Sequence, residues 1–378
     1  MNHSDALYKR IYQKLLTEIE EGMYKDGQRL PTEKELSQKY YVSRITAQKA
    51  MRALADEGKI VRVIGKGSYI ADSFQPDMEL KRKKRRCIAL IMGSLGASFG
   101  LNVVYGALDA AEKHGVDLIL KNSKDDQMLE REIIKELESD ACDGLIIQPA
   151  NGELYSEEII QAVFQGQSVV MVDRDMQGIN VPFVGINNER MAYQALEKLI
   201  QLNHTRIALL ATGNDKSSTI RERINGYTQA HMNYCISINP RYMLLNLCGF
   251  GQNQNAFEDL KQITEKLKQF FKEYPEVTAV FATEYLVAKA AVDAINVLGL
   301  QEKVSIVSFD CDSLLGENAW IAHVLQPQYD MGKCAVDVMM RLLNKEPLEK
   351  RVWQLEGEWC DGASLFPTLQ DNDVMEPE

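Results

Sequence analysis

Apolar side chains follow two rhythms along this chain: helical spacing up to about residue 57, and short continuous runs beyond residue 87. Leu7, Ile11, Leu15 and Ile19 recur every four residues, which predicts an amphipathic helix over 4–21 ended by Gly22. A turn around Asp26-Gly27 follows. Thr32, just after Pro31, stands three residues before Glu35, the reciprocal pairing that opens a helix, with Leu36 and Tyr40 on its buried side. After a break at Tyr41-Val42, Ser43 is the next N-cap. Ala47, Ala50, Met51 and Leu54 give a helix over about 44–57 one buried stripe, with Arg44, Gln48, Lys49 and Arg52 opposite it. Strand-like 60–63 and 68–70 flank Ile64-Gly65-Lys66-Gly67, a glycine-tipped hairpin.

From Cys87 onward the apolar runs 88–92, 116–120, 144–148, 168–172, 206–211, 278–282 and 304–309 read as strands. Helical patterns lie between them at 102–113, 127–139, 188–202, 256–273, 285–298 and 330–343. Continuous apolar strands separated by helices indicate α/β architecture, with parallel sheets covered on both faces. In such sheets ligands bind outside the carboxyl ends of the strands. The polar groups to watch are therefore Ser94, Asp173, Arg174, Glu284, Asp310 and Asp312.

The chain has 378 residues, too many for one ordinary core, so two or three domains are expected. The divisions read as 1–71, a linker 72–86 and a body 87–378. The net charge of −11 hides an asymmetry. Residues 1–86 hold 19 basic against 12 acidic side chains, and the remainder 24 against 42. A basic head on an acidic body is expected where one module alone meets phosphates. The linker ends in six basic residues, 81–86, and reads as a solvated tether, as an arm that tracks phosphates or, less naturally here, as a nuclear import signal.

Several classes find no support. No apolar run approaches the roughly 18 residues of a membrane span. The opening MNHSDALYKRIYQ lacks the apolar stretch of a secretory signal. Seven scattered cysteines form no C-x-x-C pair, which points away from a disulfide framework or zinc cluster and towards a reduced cytoplasm. Five histidines show no H-E-x-x-H spacing, and neither a P-loop nor a G-x-S-x-G elbow is present. No enzymatic role, cofactor or metal is expected.

Two capped helices and a hairpin are the parts of a winged helix-turn-helix, whose second helix enters the major groove. Arg44 in its first turn suits a bidentate contact to guanine, and the caps at Thr32 and Ser43 suit phosphate. Residues 8–71 resemble the GntR family of bacterial transcription regulators through L-P-T-E-K-E-L, V-S-R-I-T and the wing G-K-G-S-Y. The resemblance implies DNA contacts from Lys34, Arg44, Thr46, Gln48 and Gly67. Ser43, Lys49, Arg52 and Lys66 complete the expected surface by position. Lys34 and Gln48 stand where arginine is usual, so the planar fork is lost at both and Gln48 is suited to adenine.

Residues 87 to about 345 resemble the effector-binding domain of the LacI family, which shares the fold of periplasmic sugar-binding proteins. The likeness rests on D-G-L-I at 143, V-D-R at 172, V-G-I-N-N-E at 184, H-T-R-I-A at 204, R-E-R-I-N-G-Y at 221 and S-F-D at 308. A GntR head on a LacI-type body is the layout of the arabinose-repressor subfamily. The resemblance implies two lobes with a monosaccharide, arabinose or a related sugar, between them. By position Arg223 and Asp310 match sugar-hydroxyl ligands, Asp173 and Gln326 match lesser ones, and Phe99 would pack on the sugar. A structural ion pair between Arg223 and Asp310 is the alternative. Glu284-Tyr285 replaces a usual Asn-Asp, which puts an acid at a ligand position and disfavours a sugar phosphate. Trp320 is suited either to stacking on a ligand or to packing. The expectation is a dimeric repressor of double-stranded operator DNA, released by its sugar. A nucleobase or nucleoside effector, corepression, and a sugar-binding protein without a DNA role are the rivals.

Overall fold

The computed structural model describes residues 3–24, 28–63, 67–70, 85–137, 142–150, 156–176, 178–213, 217–247, 256–312 and 320–368. The chain forms two compact units, Met1–Lys84 and Arg85–Glu378.

The first unit holds α1 (His3–Glu20), α2 (Glu33–Tyr40), α3 (Arg44–Asp56), β1 (Ile60–Val63) and β2 (Gly67–Ile70). Thr32 and Glu35 close the reciprocal cap on α2, and the Ser43 hydroxyl caps α3 through the Thr46 amide. Tyr41 turns the chain between these helices in the left-handed region, at φ 52°. Ile11, Leu15, Leu36, Ala47, Ala50, Met51 and Leu54 are buried in one core, with Ile60 and Ile70 from the antiparallel β1–β2 pair. Glu18 accepts hydrogen bonds from Tyr24, Lys39 and Tyr40, fastening α1 to α2. The wing tip Gly65-Lys66 and the turn at Asp26-Gly27 lie outside the described residues.

The second unit has two lobes. In the first, β3 (Cys87–Met92), β4 (Asp117–Asn122), β5 (Gly144–Ile147), β6 (Ser168–Val172) and β7 (Phe183–Ile186) alternate with α4 (Leu101–His114), α5 (Gln127–Glu136) and α6 (Glu157–Phe164). The chain crosses to the second lobe for α7 (Asn188–Gln201), β8 (Ile207–Leu210), α8 (Ser218–Asn233), β9 (Met243–Leu244), α9 (Ala256–Glu273), β10 (Ala279–Ala282), α10 (Tyr285–Leu298), β11 (Ser305–Phe309) and β12 (Ala322–Leu325). It returns for α11 (Gln328–Leu343) and β13 (Val352–Leu355), then crosses again to β14 (Glu358–Cys360). The sheets run β13-β7-β6-β5-β3-β4 and β14-β12-β11-β10-β8-β9. All neighbours are parallel except β14, which pairs antiparallel with β12.

The central strands of each sheet are buried on both faces, as their unbroken apolar runs require, while the edge strands β4, β13, β9 and β14 are partly exposed. The apolar runs correspond to β3, β4, β5, β6, β8, β10 and β11. The structure adds β7, β9, β12, β13 and β14, and the helices α6 and α8. Arg85 lies 3.6 Å from Asp117, and Arg86 donates to Asn344 at 2.6 Å. The last two basic residues of the linker therefore rest on the body, while 72–84 lie outside the described residues.

Helices α4 and α11 cross at two glycines. A Cβ on Gly106 would overlap the Tyr329 carbonyl, and one on Gly332 would overlap the Val103 carbonyl. Backbone lies against backbone at this crossing, so neither obstacle can rotate away. Gly106→Ala and Gly332→Ala are each expected to destabilise the body by about 1–3 kcal/mol, despite alanine's better helix propensity. Urea unfolding followed by circular dichroism checks this; an unchanged or higher midpoint would show that the crossing tolerates separation.

Candidate DNA-reading surface and effector cavity

On the head, Arg44, Gln48, Lys49 and Arg52 are exposed along the outer side of α3, and Lys34 is exposed on α2. Ser43 is exposed while its hydroxyl caps the helix. Thr46 is buried with its hydroxyl 2.8 Å from that of Ser43, so it shapes the cap more than it offers a free surface. Gly67 sits at φ +123°, and a Cβ there would come 2.7 Å from Arg29 Nε. The backbone angle therefore favours glycine at the start of β2, and a Cβ would in addition have to displace the Arg29 side chain. Lys66 lies outside the described residues. Two apolar side chains escaped the sequence pattern: Ile45, 68% exposed beside Arg44, and Tyr41, 96% exposed in the turn.

In the body, Phe99, Asp173, Arg223, Glu284, Asp310 and Gln326 all line one cavity of about 1060 Å³ between the lobes. That volume lies at the upper end for small-molecule sites. Trp320 and Asp312 are not among its described lining residues, whereas Ser94 and Arg174 are. The lining is assembled from strand ends. Asp173 follows β6, Glu284 follows β10, Asp310 follows β11 and Gln326 follows β12.

The two lobes use the same device. Asp173 and Asp310 both adopt the left-handed backbone, at φ 66° and 57°, a region that aspartate tolerates better than most residues. Each donates its amide to the neighbouring strand, Asp173 to Val184 and Asp310 to Val324. Each carboxylate then takes a glutamine amide, from Gln148 at 2.7 Å and from Gln326 at 2.5 Å. Asp310 also accepts from the Gln326 backbone amide and from Gln328. Gln328 in turn donates to the Ser98 carbonyl and accepts from the Gly100 amide, which joins the second-lobe carboxylate to the start of α4 in the first lobe.

Arg223, 5% exposed, is held by Asn188 at 2.9 Å and the Thr283 carbonyl at 2.5 Å, with its guanidinium 3.7 Å from the Phe309 ring centre. Among the described residues no carboxylate lies within 4.0 Å of it, so the structural ion pair with Asp310 does not form. Arg174 instead donates to Asp125 at 2.5 Å and to the Pro149 carbonyl, with its Nε 3.8 Å from Asp173. Burial raises the pKa of Asp173 and of Glu284 and pushes that of Asp310 up to about 6, against the pull of Gln326 and Arg223.

Gln148, Asp125, Phe309 and Gln328 were missed in sequence. Gln148 stands just past a strand, where polar groups were sought, but reads as the last residue of the run 144–148. Asp125 had the same signal one loop over.

The chain matches the periplasmic binding protein domain family over residues 88–347 and the gntR family of bacterial regulatory proteins over residues 7–70. It is 24% identical over 350 residues to the arabinose metabolism transcriptional repressor of Halalkalibacterium halodurans, covering 90% of each chain. The protein of the same name from Geobacillus stearothermophilus is 22% identical, over 91% of this chain and 93% of that one. Among solved structures, the transcription regulator CcpA of Lactococcus lactis superposes with a TM-score of 0.64 at 22% identity, over 74% of this chain and 99% of that one. No helix among the described residues is long and apolar enough to cross a membrane.

Glu130 of α5 is 1% exposed, and its carboxylate accepts from the Ala150 amide at 2.7 Å. Burial pushes its pKa up to about 7, helped by Asp125 and opposed by the Ala150 amide, Arg174 and Arg131. The folded protein therefore holds this proton more tightly than the unfolded chain. Its stabilising share is complete below about pH 4.5 and is lost as pH rises through about 7. Glu130→Gln keeps an acceptor for Ala150 and removes the buried charge. At pH 8 it is expected to stabilise the protein by on the order of 2–3 kcal/mol, with the gain vanishing towards pH 4.5. Denaturant titrations at the two pH values check this; a gain independent of pH would contradict the assignment.

Proposed function

The chain belongs to the periplasmic binding protein domain family and carries a gntR-type regulatory head, and from that premise we propose that it is a repressor released from operator DNA by a sugar bound between the lobes of its body. It is a DNA-binding transcription regulator and not an enzyme, as are the relatives it matches. The observation that carries the effector reading is the convergence of strand-end carboxylates, amides and Arg223 from both lobes on one cavity. A sugar hydroxyl both donates and accepts, so a ring of hydroxyls answers carboxylates, an amide and a guanidinium together. The two relatives named for arabinose metabolism make a pentose or related monosaccharide the first class to try.

On the head, Arg44 and Gln48 read base edges while Lys34, Ser43, Lys49, Arg52 and the wing hold phosphates. A homodimer is supported by the outer face of α4. Leu101, Tyr105 and Leu108 are exposed there at i, i+4 and i+7, beside exposed Tyr329 of α11. Two heads then meet the half-sites of a pseudo-palindrome. Sugar and operator favour different lobe arrangements, so each weakens the other's binding by the same factor.

Duplexes selected from a random pool supply the operator for fluorescence anisotropy. Arg44→Ala is expected to weaken operator binding by about 1–3 kcal/mol. Asp310→Asn is expected to keep operator affinity while needing far more sugar for release. An operator affinity unmoved by arabinose and a panel of pentoses and hexoses would overturn the sugar reading. Failure of the unmodified protein to select any duplex would overturn the function as a whole.

A further inference from the structure

We propose that the sugar this cavity selects carries a protonated amine. The inference rests on the effector reading above and narrows it to one class of ligand.

The lining is short of positive charge. Among the described residues seven carboxylates line it, from Asp125, Asp126, Glu132, Asp173, Asp259, Glu284 and Asp310, against three cations, Lys124, Arg174 and Arg223. The deep part is no better balanced. Arg174 is committed to Asp125 and reaches Asp173 only at 3.8 Å. Arg223 spends two of its N–H groups on Asn188 and the Thr283 carbonyl. Glu284 receives the Thr212 hydroxyl at 2.5 Å, and Asp310 is held by the amides of Gln326 and Gln328. Neither Glu284 nor Asp310 has a cation within 4.0 Å among the described residues. Buried carboxylates without a cation are costly, and both respond by holding their protons more tightly.

A second observation points the same way. Gln326 lines the cavity and donates its amide to Asp310, which fixes its orientation. Its carbonyl oxygen is buried with no hydrogen-bond partner. The wall therefore leaves an acceptor open beside its negative charge, and Arg174 Nε is a buried lining donor likewise without a hydrogen-bond partner, which a sugar hydroxyl can answer. A neutral sugar answers the acceptors with one donor per hydroxyl and leaves the charge as it is. An ammonium group supplies three donors and a positive charge at one point. A linear polyamine would neutralise the acids but offer no acceptor to the N–H groups of Arg223 beyond the two held by Asn188 and the Thr283 carbonyl; the hydroxyls of an amino sugar supply it.

The test uses full-length protein and titration calorimetry at pH 7, with D-glucosamine and D-galactosamine against D-glucose, D-galactose and N-acetyl-D-glucosamine. At least one amine is expected to bind about tenfold or more tightly than both its neutral parent and the acetylated form, equivalent to about 1.4 kcal/mol. Glu284→Gln is expected to shrink that ratio, and Asp310→Asn gives a second reading should the first variant fold poorly. Neutral sugars binding as tightly as their amines, or more tightly, would overturn the inference while leaving the sugar reading intact. Absence of binding by the amines overturns it too, and if arabinose and the neutral hexoses also fail, the effector reading falls with it.

Discussion

A buried carboxylate with no close cation must be compensated by hydrogen bonds, and the body of this protein depends on doing so at two matching places, Asp173, with Arg174 Nε 3.8 Å away, and Asp310, with no cation within 4.0 Å among the described residues. Asp173 and Asp310 stand at equivalent strand ends in the two lobes, both in left-handed backbone, and both are clamped by a glutamine amide. The turn matters because an extended residue there would carry its side chain to one face of the sheet and not into the cleft beyond the strand ends. The clamp matters because an acid left bare in low dielectric would take up a proton and give up its strongest hydrogen bonds. Burial already pushes Asp310 to about 6. The parallel sheets supply the rest. Their strands end on one side, so polar groups just past them collect in one cleft even though they are more than a hundred residues apart in sequence.

The legibility of the chain followed its physics. The head was readable almost residue by residue because its signals are local: a cap and its partner three residues on, an alanine-rich stripe, a glycine at the wing. Central strands were equally plain, since burial on both faces demands unbroken apolar runs. The strands that escaped are edge or short ones. β12 contains His323, β7 contains Gly185, and β13 and β14 carry polar residues on half-exposed edges. Helix α8 escaped for a different reason. Its buried side includes Arg223, Gly226 and His231, so no apolar period marks it, and the residue that obscures the helix is one the cavity uses.

Of the cavity, the six residues first singled out came from strand-end logic together with a family resemblance. What sequence did not carry was pairing. Nothing in the order of residues says that Arg174 belongs to Asp125, or that Arg223 faces Phe309 and a carbonyl in place of an acid. Ion pairs depend on loop paths fixed by the whole sheet. The same limit hid Thr46, which motif position places on DNA but whose hydroxyl is tucked against Ser43.

Gln328 shows how such pairing carries a signal as well as stability. Its amide group binds the Asp310 carboxylate and the Ser98 carbonyl, and its own carbonyl takes the Gly100 amide. Gly100 opens α4, and Gln328 opens α11, the two helices that meet at Gly106 and Gly332. A ligand that draws Asp310 towards itself must therefore either share the carboxylate with Gln328 or loosen it. Loosening it frees the starts of two helices locked backbone to backbone, which can only move together. Their outer face holds Tyr105, 52% exposed, and its apolar neighbours. On the proposed reading this is the surface where two copies meet, so a change of hydrogen-bond partner at one carboxylate reaches the subunit contact through rigid elements and no flexible loop.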